Sequence, residues 1–386
     1  MEFLVMEAVV GFMILLYLFE TYLDVRQYAV LKKRPTPPIS QGVISPEKLR
    51  KSRAYSIDKS RLHFVHEFAY ILVDCMILLY NILPWLWEGS GSFLVCIGLN
   101  AENEFLHSFS FLAAMTMLSQ IFELPFSLYS TFVIEALHGS NEKTIWQFST
   151  ELLLGQCITW VFGALIVAAA IVLEQYGGSH WVFYLWAYSS LGSIATTILY
   201  PQFIAPIFNK FILAYMFGVR KKILVLSDTL TKQCQDTDEI VAIIAHEMGH
   251  WKLNHTVHAF VAMQVPALLQ FGLFSLVWQS NALFQIFGFD TQTVVIGFYI
   301  YQHIVMPVQR LLEFFMNLLS RSSEFMADAF AKDLGYGSAL QAVLIKLQNC
   351  NQSAVNTDPW YSAYHYSHPP LAERLSALDE LMKKPN

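Results

Sequence analysis

Charged residues are scarce in this chain. Asp, Glu, Lys and Arg make up 14% of its 386 residues, whereas a soluble globular protein contains about 25%. Cysteines are also few, since there are five and no C-x-x-C pair, which argues against disulfides and a cysteine-based metal site. The sequence has no phosphate-binding loop, no nucleic-acid motif and no internal repeat. The lack of a nucleic-acid motif argues against nucleic-acid partners.

Hydrophobic residues account for 55% of the chain and are arranged in long apolar runs. Runs of this length indicate an integral membrane protein with the lipid bilayer as its surroundings. Seven transmembrane spans are predicted, near residues 3–22, 68–86, 106–126, 158–173, 182–201, 257–277 and 294–308. Several polar residues lie in or near these runs, namely Asp74, Glu123, Gln156, Gln264, Gln270 and His303. Such groups are expected to face a cavity or to pair with a neighbouring helix.

Basic residues concentrate between the first and second predicted spans. The loop over 25–65 contains ten Lys and Arg residues, the largest such cluster in the chain, and is therefore predicted to be cytosolic. The next loop has Glu88, Glu102 and Glu104 but no Lys or Arg, as expected for the lumenal side. Counting spans from this loop places both 210–255 and 319–386 on the cytosolic side.

The segment His246-Glu247-Met248-Gly249-His250 has the form H-E-x-x-H. Two histidines four positions apart on a helix share a face and can bind one metal ion, and the Glu between them can act as general base. Asp236 and Glu239 can cap the start of this helix, and the apolar run after them contains no Gly or Pro. The pattern predicts a zinc site with a third protein ligand and a water molecule.

The third ligand must come from elsewhere in the chain. Leu253 and Thr256 occupy the positions of the metzincin Gly and third His, which excludes that class. His255 lies five positions past His250, about 140° around the helix, and is therefore predicted to face away from the metal. Glu324 is favoured as the third ligand over Glu313, because Asp328 follows it on the same helical face and could orient a ligand or transfer protons.

Several longer motifs carry a family resemblance. They are residues 19–24 (FETYLD), 51–55 (KSRAY), 124–129 (LPFSLY), 204–210 (IAPIFNK), 245–251 (AHEMGHW), 324–328 (EFMAD), 364–370 (YHYSHPP) and 373–374 (ER). With this set in order over nearly its whole length, the chain resembles the type I CaaX prenyl proteases, and plant members most of all. These are integral-membrane zinc metalloproteases that include the a-factor-converting and prelamin-processing enzymes.

The resemblance implies one zinc ion bound by His246, His250 and Glu324, with Glu247 as the base. It further assigns Asp328 as the proton donor or as a residue that orients a ligand. His368 and Arg374 match a His-Pro-Pro…Arg tail that lies near the site and contacts substrate or the tetrahedral intermediate. The implied substrates are farnesylated or geranylgeranylated CaaX proteins, which lose their terminal tripeptide. The implied fold class is an all-α membrane protein, in which seven helices enclose a chamber closed by a mostly helical cytosolic metalloprotease domain.

One region departs from the family pattern. Residues 208–211 (FNKF) run almost directly into 214–218 (AYMFG), so about forty residues are missing relative to the family, and Leu213 stands where an Asn is expected. Residues 214–219 and 223–226 could still form a hairpin, in which Ala214 and Tyr215 bind the substrate backbone by strand addition. Two alternatives remain open: a catalytically impaired zinc-binding homologue, motivated by the deletion, and a transporter or channel, against which the lack of repeats argues.

The predicted organisation has four parts. They are 1–209, with five transmembrane helices and the basic loop; 210–255, with the shortened hairpin and the H-E-x-x-H helix; 256–318, with the last two spans; and 319–386, a cytosolic helical part with the third ligand. The sequence Lys383-Lys384 near the C-terminus fits either a dilysine signal of the endoplasmic reticulum or simply a charged end to a cytosolic tail. The sequence does not define an oligomeric state.

Overall fold

The computed structural model describes residues 2–33, 45–141, 143–199, 214–217, 223–226, 236–350 and 355–383. The helices are α1 (Glu2–Lys32), α2 (Pro46–Leu79), α3 (Ile82–Cys96), α4 (Glu104–Tyr129), α5 (Ile145–Tyr176), α6 (Trp181–Leu199), α7 (Thr237–Lys252), α8 (His255–Trp278), α9 (Asn281–Ile286), α10 (Val294–Asp333), α11 (Gly337–Cys350), α12 (Pro359–His365) and α13 (Leu371–Lys383). Two compact units are formed. The first comprises residues 1–22, 58–188 and 267–310, and the second comprises 23–57, 189–266 and 311–386.

Five helical segments of the described chain are long and apolar enough to cross a membrane. They are Val5–Lys32, Pro46–Leu79, Glu104–Glu135, Ile145–Tyr176 and His255–Trp278. These agree with the first, second, third, fourth and sixth predicted spans, and they bear out the expectation of a helical membrane protein. The fifth and seventh predicted spans correspond to α6 and to the start of α10, which are helical but are not among these five. The count of seven therefore stays a prediction.

The second predicted span, at 68–86, is wrong in its boundaries. Helix α2 ends at Leu79, and α3 begins at Ile82 after Asn81, whose backbone is left-handed with φ 53°. A left-handed residue cannot continue an α-helix, and Asn tolerates this conformation better than most residues. The apolar run continues across the break, so hydropathy alone does not detect it.

The first unit is built around an aromatic core. Phe274 of α8 is fully buried and stacks on Phe298 of α10 with 4.1 Å between ring centroids. Trp181, at the start of α6, meets Phe274 edge-on at 5.8 Å. Offset and edge-to-face ring pairs are stabilised beyond the area they bury, so these contacts hold α6, α8 and α10 in register within this unit.

Three of the polar residues predicted to lie within the membrane line a cavity of about 360 Å³ in the first unit. They are Asp74, Glu123 and His303, and Nε2 of His303 lies 3.8 Å from Oδ1 of Asp74. Gln156 instead donates a hydrogen bond to Thr116 on a neighbouring helix, at 3.0 Å. Both ways of accommodating a polar side chain in an apolar region are thus present.

The second unit has a small apolar core between α7, α11 and α13. Its buried members include Ala242 and Ile243 of α7, Leu340 of α11 and Leu378 of α13. Asp236 caps the first turn of α7 as predicted, since its carboxylate accepts a hydrogen bond from the backbone N–H of Asp238. This cap and core fix one face of α7, which leaves the opposite face for the site.

The predicted hairpin is present in the described residues. Strand β1 (Ala214–Phe217) pairs antiparallel with β2 (Ile223–Leu226), with Ala214 opposite Leu226. Strand β1 packs against α7. The connection at 218–222 and the shortened segment before Ala214 lie outside the described residues, as does Lys384 of the dilysine pair.

An ion pair links the end of α1 to the start of α12. Nη2 of Arg26 lies 3.0 Å from Oδ2 of Asp358, and the guanidinium also covers the ring of Trp360. Gln27 accepts a hydrogen bond from the backbone N–H of Asp358 at 2.7 Å. Because Asp358 also caps α12, one buried carboxylate anchors two chain segments that are far apart in sequence.

Among the described residues Cys75, Cys96 and Cys157 are free cysteines.

Candidate metal centre

Helix α7 presents the two motif histidines on one face. His246 and His250 are one helical turn apart, and their Nε2 atoms lie 3.2 Å from each other. His246 is buried and His250 is half-buried. Both rings therefore direct the same nitrogen into a common space, as the i, i+4 spacing predicts.

Glu324, on α10, faces the two histidines. Its Oε2 lies 3.5 Å from Nε2 of His246, and its Oε1 lies 3.4 Å from Nε2 of His250. Within the described ranges, only one group of three or more His, Cys, Asp or Glu side chains could hold a metal ion, and it consists of His246, His250 and Glu324. Glu313, the rival third ligand, is exposed and is not part of this group.

A glycine allows the two helices to approach this closely. A Cβ atom added to Gly249 would lie 3.0 Å from Cα of Ala327 and 3.2 Å from its carbonyl oxygen. Ala327 is fully buried and lies between Glu324 and Asp328 on α10. Larger residues at either position would separate α7 from α10, so this small-residue contact sets the distance between the histidines and the carboxylate.

The spacing of the three ligand side chains fits a tetrahedral metal ion. Two atoms bound at 2.0–2.1 Å to a tetrahedral centre are about 3.3 Å apart. Here the two histidine Nε2 atoms are 3.2 Å apart, and each lies near a different oxygen of Glu324: Oε2 is 3.5 Å from His246 and Oε1 is 3.4 Å from His250. Two imidazoles and one carboxylate form the ligand set of His₂Glu catalytic zinc sites, in which the fourth position is left to water or substrate.

Asp328 contacts His246 on the side of the ring that faces away from Glu324 and His250. It is 1% exposed, and its Oδ1 lies 2.9 Å from Nδ1 of His246. The distance is that of a close polar contact, and Nδ1 of His246 has no other partner in the described part of the chain. Arg374 of α13 donates two hydrogen bonds to the same carboxylate, and its Nη1 lies 3.4 Å from Oε2 of Glu324. The Arg374 side chain is 13% exposed and lies against these two acids, and its expected contact with substrate or the tetrahedral intermediate stays a prediction.

The electrostatics of the site favour a cation between the histidines. Burial alone would raise the pKa of Glu324, but hydrogen bonds from His246, His250 and His368 outweigh it and hold that pKa far below its usual range. Burial also opposes ionisation of Asp328, yet His246 and Arg374 lower its pKa. Both acids are therefore carboxylates at neutral pH, and buried carboxylates stabilise positive charge beside them.

Glu247 has a different environment from these two acids. Burial raises the pKa of its carboxyl above the ordinary value, and the nearby histidines only partly offset the rise. A raised pKa brings a carboxylate closer to the value at which it exchanges protons efficiently near neutral pH. Neighbouring acids of the same site thus differ in their tendency to take up a proton, which is typical of sites that divide acid–base and structural roles.

Three further residues, His368, Ala214 and Tyr215, were predicted to bind substrate. The His368 side chain is 70% exposed, and its Nδ1 lies 3.1 Å from Oε1 of Glu324, which raises the pKa of His368. It therefore lies at the open side of the group. Ala214 and Tyr215 belong to β1, which packs against α7, although their side chains are not described.

The structure corrects the expected position of His255. Helix α7 ends at Lys252, and Asn254 adopts a left-handed conformation with φ 54°. His255 then begins α8, so the angle for a continuous helix does not apply. Its ring returns toward the site and places Nδ1 2.9 Å from Nδ1 of His250. The helix-stop signal, with Asn two residues past the last turn, was the available clue in the sequence.

Known proteins resemble the chain over nearly its whole length. A family model described as "CAAX prenyl protease N-terminal, five membrane helices" matches residues 27–210, and "Peptidase family M48" matches 206–382. CAAX prenyl protease 1 homologues from Oryza sativa and Arabidopsis thaliana are 51% and 52% identical, each over 98% of both chains. The rice alignment extends over 417 positions, more than the 386 residues present, so it contains gaps in this chain.

A solved structure agrees in fold. The crystal structure of S. mikatae Ste24p superposes with a TM-score of 0.86 at 30% identity, and the match covers 96% of this chain and 98% of that one. CAAX prenyl protease 1 of Saccharomyces cerevisiae is 30% identical, against 51% and 52% for the two plant relatives, which confirms the expected likeness to plant members. On this evidence the chain belongs to peptidase family M48, among the CAAX prenyl proteases.

Proposed function

We propose that this protein is a zinc metalloendopeptidase that removes the C-terminal tripeptide from prenylated CaaX proteins. The observation that carries the proposal is the convergence of His246, His250 and Glu324 beside Glu247, in a chain of the CAAX prenyl protease family. Zinc is the metal that best suits two imidazoles, one carboxylate and tetrahedral spacing.

Zinc bound at this group would lower the pKa of a water molecule and polarise the scissile carbonyl. Glu247 takes the proton of the attacking water, which its raised pKa favours, and then transfers it to the nitrogen of the departing peptide. The carboxylate is returned to its starting state by that second transfer. The side chain therefore carries one proton per turnover, without a net change in charge.

Asp328 and Arg374 position this machinery. Asp328 is 1% exposed and is held as a carboxylate by Arg374, so it suits orientation of His246 better than proton donation. Arg374 also neutralises charge next to Glu324. Supporting carboxylates of this kind fix the tautomer and the ring orientation of a metal-bound histidine.

Substrate would bind at the exposed side of the site, next to β1 and His368. Ala214 and Tyr215 lie on β1, from which an extended peptide could accept and donate main-chain hydrogen bonds. His368 is exposed beside Glu324 and can donate to a carbonyl or carboxylate of the peptide. The apolar spans suit a substrate whose prenyl chain partitions into the bilayer.

The proposed location is the endoplasmic reticulum membrane, with the site on the cytosolic face. The basic loop between the first two spans supports this orientation. A protease that acts on prenylated cytosolic proteins requires its site on that side.

The relatives named above are all designated proteases, which gives no support to the impaired homologue or to the transporter. An inactive protein with bound zinc would nonetheless indicate that the shortened segment before Ala214 disables substrate binding.

The test measures zinc content and cleavage of a farnesylated CaaX peptide by purified protein in lipid nanodiscs. Glu324→Gln should lose both, whereas Glu313→Gln, on the same helix, should retain both. Equal zinc content and activity in all three proteins would refute the assigned ligand set. A wild type that binds zinc without cleaving the peptide would refute the activity alone.

A further inference from the structure

His255 contacts Nδ1 of His250, the nitrogen of that ring that does not face His246 and Glu324. The two Nδ1 atoms are 2.9 Å apart, and the rings meet nearly at right angles, with centroids 5.0 Å apart. His255 is 6% exposed. Its other nitrogen, Nε2, is buried without a hydrogen-bond partner in the described part of the chain. The contact with His250 is thus the only hydrogen bond described for this imidazole.

The direction of this hydrogen bond follows from the metal group. A bond between two imidazole nitrogens needs one N–H and one lone pair. Nε2 of His250 lies 3.2 Å from Nε2 of His246 and 3.4 Å from Glu324, so a metal ion would take the lone pair of that nitrogen. The proton of His250 is then on Nδ1. It points to Nδ1 of His255, which must be unprotonated, with the His255 proton on Nε2.

We propose that His255 is a positioning residue of the metal centre, which accepts the Nδ1–H of His250 and thereby fixes the tautomer and orientation of that ligand. The inference rests on the proposed function, because it takes His250 as a ligand. Asp328 makes the corresponding contact with His246. The two histidines are therefore supported differently, one by an anion and the other by a neutral ring. A neutral acceptor increases ligand basicity less than a carboxylate does.

Two substitutions at position 255 separate the hydrogen bond from the bulk of the ring. His255→Phe keeps the ring shape but leaves the N–H of His250 without an acceptor. His255→Asn loses the ring but carries Oδ1 on the same γ carbon, where Nδ1 is normally attached, so it can accept the bond. His258→Phe, one turn along α8 at an exposed position, is the matched control.

The first measurement is zinc affinity, by competition with a chelator, together with the visible absorption of the Co²⁺-substituted protein. His255→Phe should bind zinc about 10-fold more weakly, the lower end of the range for loss of such a contact, and its Co²⁺ bands should shift. His255→Asn should recover most of the affinity, and His258→Phe should match the wild type. Equal affinity and spectra for the wild type and His255→Phe, or equal loss in both His255 variants, would overturn the inference.

The second measurement needs no variant. Zinc-loaded wild-type protein with ¹⁵N-labelled histidine should show a protonated Nδ1 for His250 and an unprotonated Nδ1 for His255 in solid-state NMR. The opposite assignment would overturn the positioning role even if a His255 variant failed to fold. A wild type that binds no zinc would instead refute the proposed function, and the two failures are therefore distinguishable.

Discussion

Arg374 holds Asp328 through two parallel hydrogen bonds: Nε lies 2.8 Å from Oδ2, and Nη2 lies 2.6 Å from Oδ1. The Asp328 side chain is buried, and the Arg374 side chain is 13% exposed. A two-bond contact between a guanidinium and a carboxylate fixes the plane of the acid as well as its charge. Because the same acid lies 2.9 Å from His246, the orientation of one proposed metal ligand depends on a residue from the C-terminal helix α13.

Arg374→Lys should therefore weaken the metal centre although the charge is kept. Lysine is a point charge without a planar fork and cannot make both bonds. We expect a 10- to 100-fold loss of zinc affinity or peptidase activity, as is usual when support of a metal-binding histidine is lost. Arg321→Lys is the control, because Arg321 is also buried but bonds to Ser362 and Glu373. Equal zinc affinity in the two variants would contradict the assigned role of Arg374.

Glu247→Gln should abolish cleavage while zinc stays bound. The amide cannot accept a proton from water, and loss of a general base lowers rates by about 10²–10⁴-fold. The readouts are turnover of a farnesylated CaaX peptide and zinc per chain. Glu239→Gln, two turns earlier on α7, removes a carboxylate that pairs with Lys346 instead and should keep its activity. Turnover by Glu247→Gln at the wild-type rate would show that another residue is the base.

Gly249→Ala should reduce zinc affinity by about 10-fold, the effect of disturbing ligand support. The new methyl group would lie 3.0 Å from the backbone of Ala327, so α7 and α10 must move apart by a few tenths of an ångström. Gly192→Ala is the matched control on α6, where an added Cβ meets nothing within 4 Å. Alanine there should be neutral or stabilising, because it favours a helix by up to about 1 kcal/mol. The idea fails if both variants bind zinc as the wild type does.

The Arg26–Asp358 ion pair should make stability fall in acid. Burial opposes ionisation of Asp358, but Arg26 and the backbone N–H groups of Trp360 and Tyr361 hold its pKa below the ordinary value. A lowered pKa means that the folded state binds the proton less readily than the unfolded chain. The stabilisation is therefore complete above the unfolded pKa of about 3.9 and is lost as pH falls through the lower folded value.

Thermal unfolding of the wild type and of Asp358→Asn at pH 7 and pH 3 measures this effect. At pH 7 the variant should be less stable by about 2 kcal/mol, since it leaves Arg26 without its anion. At pH 3 the difference should shrink. Asp58→Asn serves as a comparison, because Asp58 is more exposed and pairs with Arg61 and His138. A difference for Asp358→Asn that is the same at both pH values would rule out this ion pair as the cause.

The sequence predicted correctly those features that are determined by a few neighbouring residues. The i, i+4 histidines, the Asp236 cap and the alternation of apolar runs are determined within one helix, so their prediction needed no tertiary information. The pairing of β1 with β2 was expected from two short strands with a basic connection. Glu324 could be favoured but not fixed by spacing, because its approach to α7 depends on packing at Gly249 and Ala327.

The errors arose where the backbone changes direction. Asn81 and Asn254 are left-handed residues that end helices within apolar or continuous patterns. Hydropathy does not respond to a single φ angle, so the second span was extended too far. The left-handed backbone at Asn254 likewise made the predicted orientation of His255 wrong. The engagement of Arg374 with Asp328 joins residues 46 positions apart, and such a pair cannot be inferred from charge pattern alone.

The position of β1 has a consequence for selectivity. Within the described segments the sheet has two strands, and β1 packs against the helix that bears both histidines. A peptide that lies along this strand would be bound through hydrogen bonds to the main-chain amide groups of the peptide, which do not depend on its side chains. Such an enzyme would tolerate varied tripeptides, and discrimination among cellular proteins would then depend on the lipid attached to the cysteine rather than on the residues cut away.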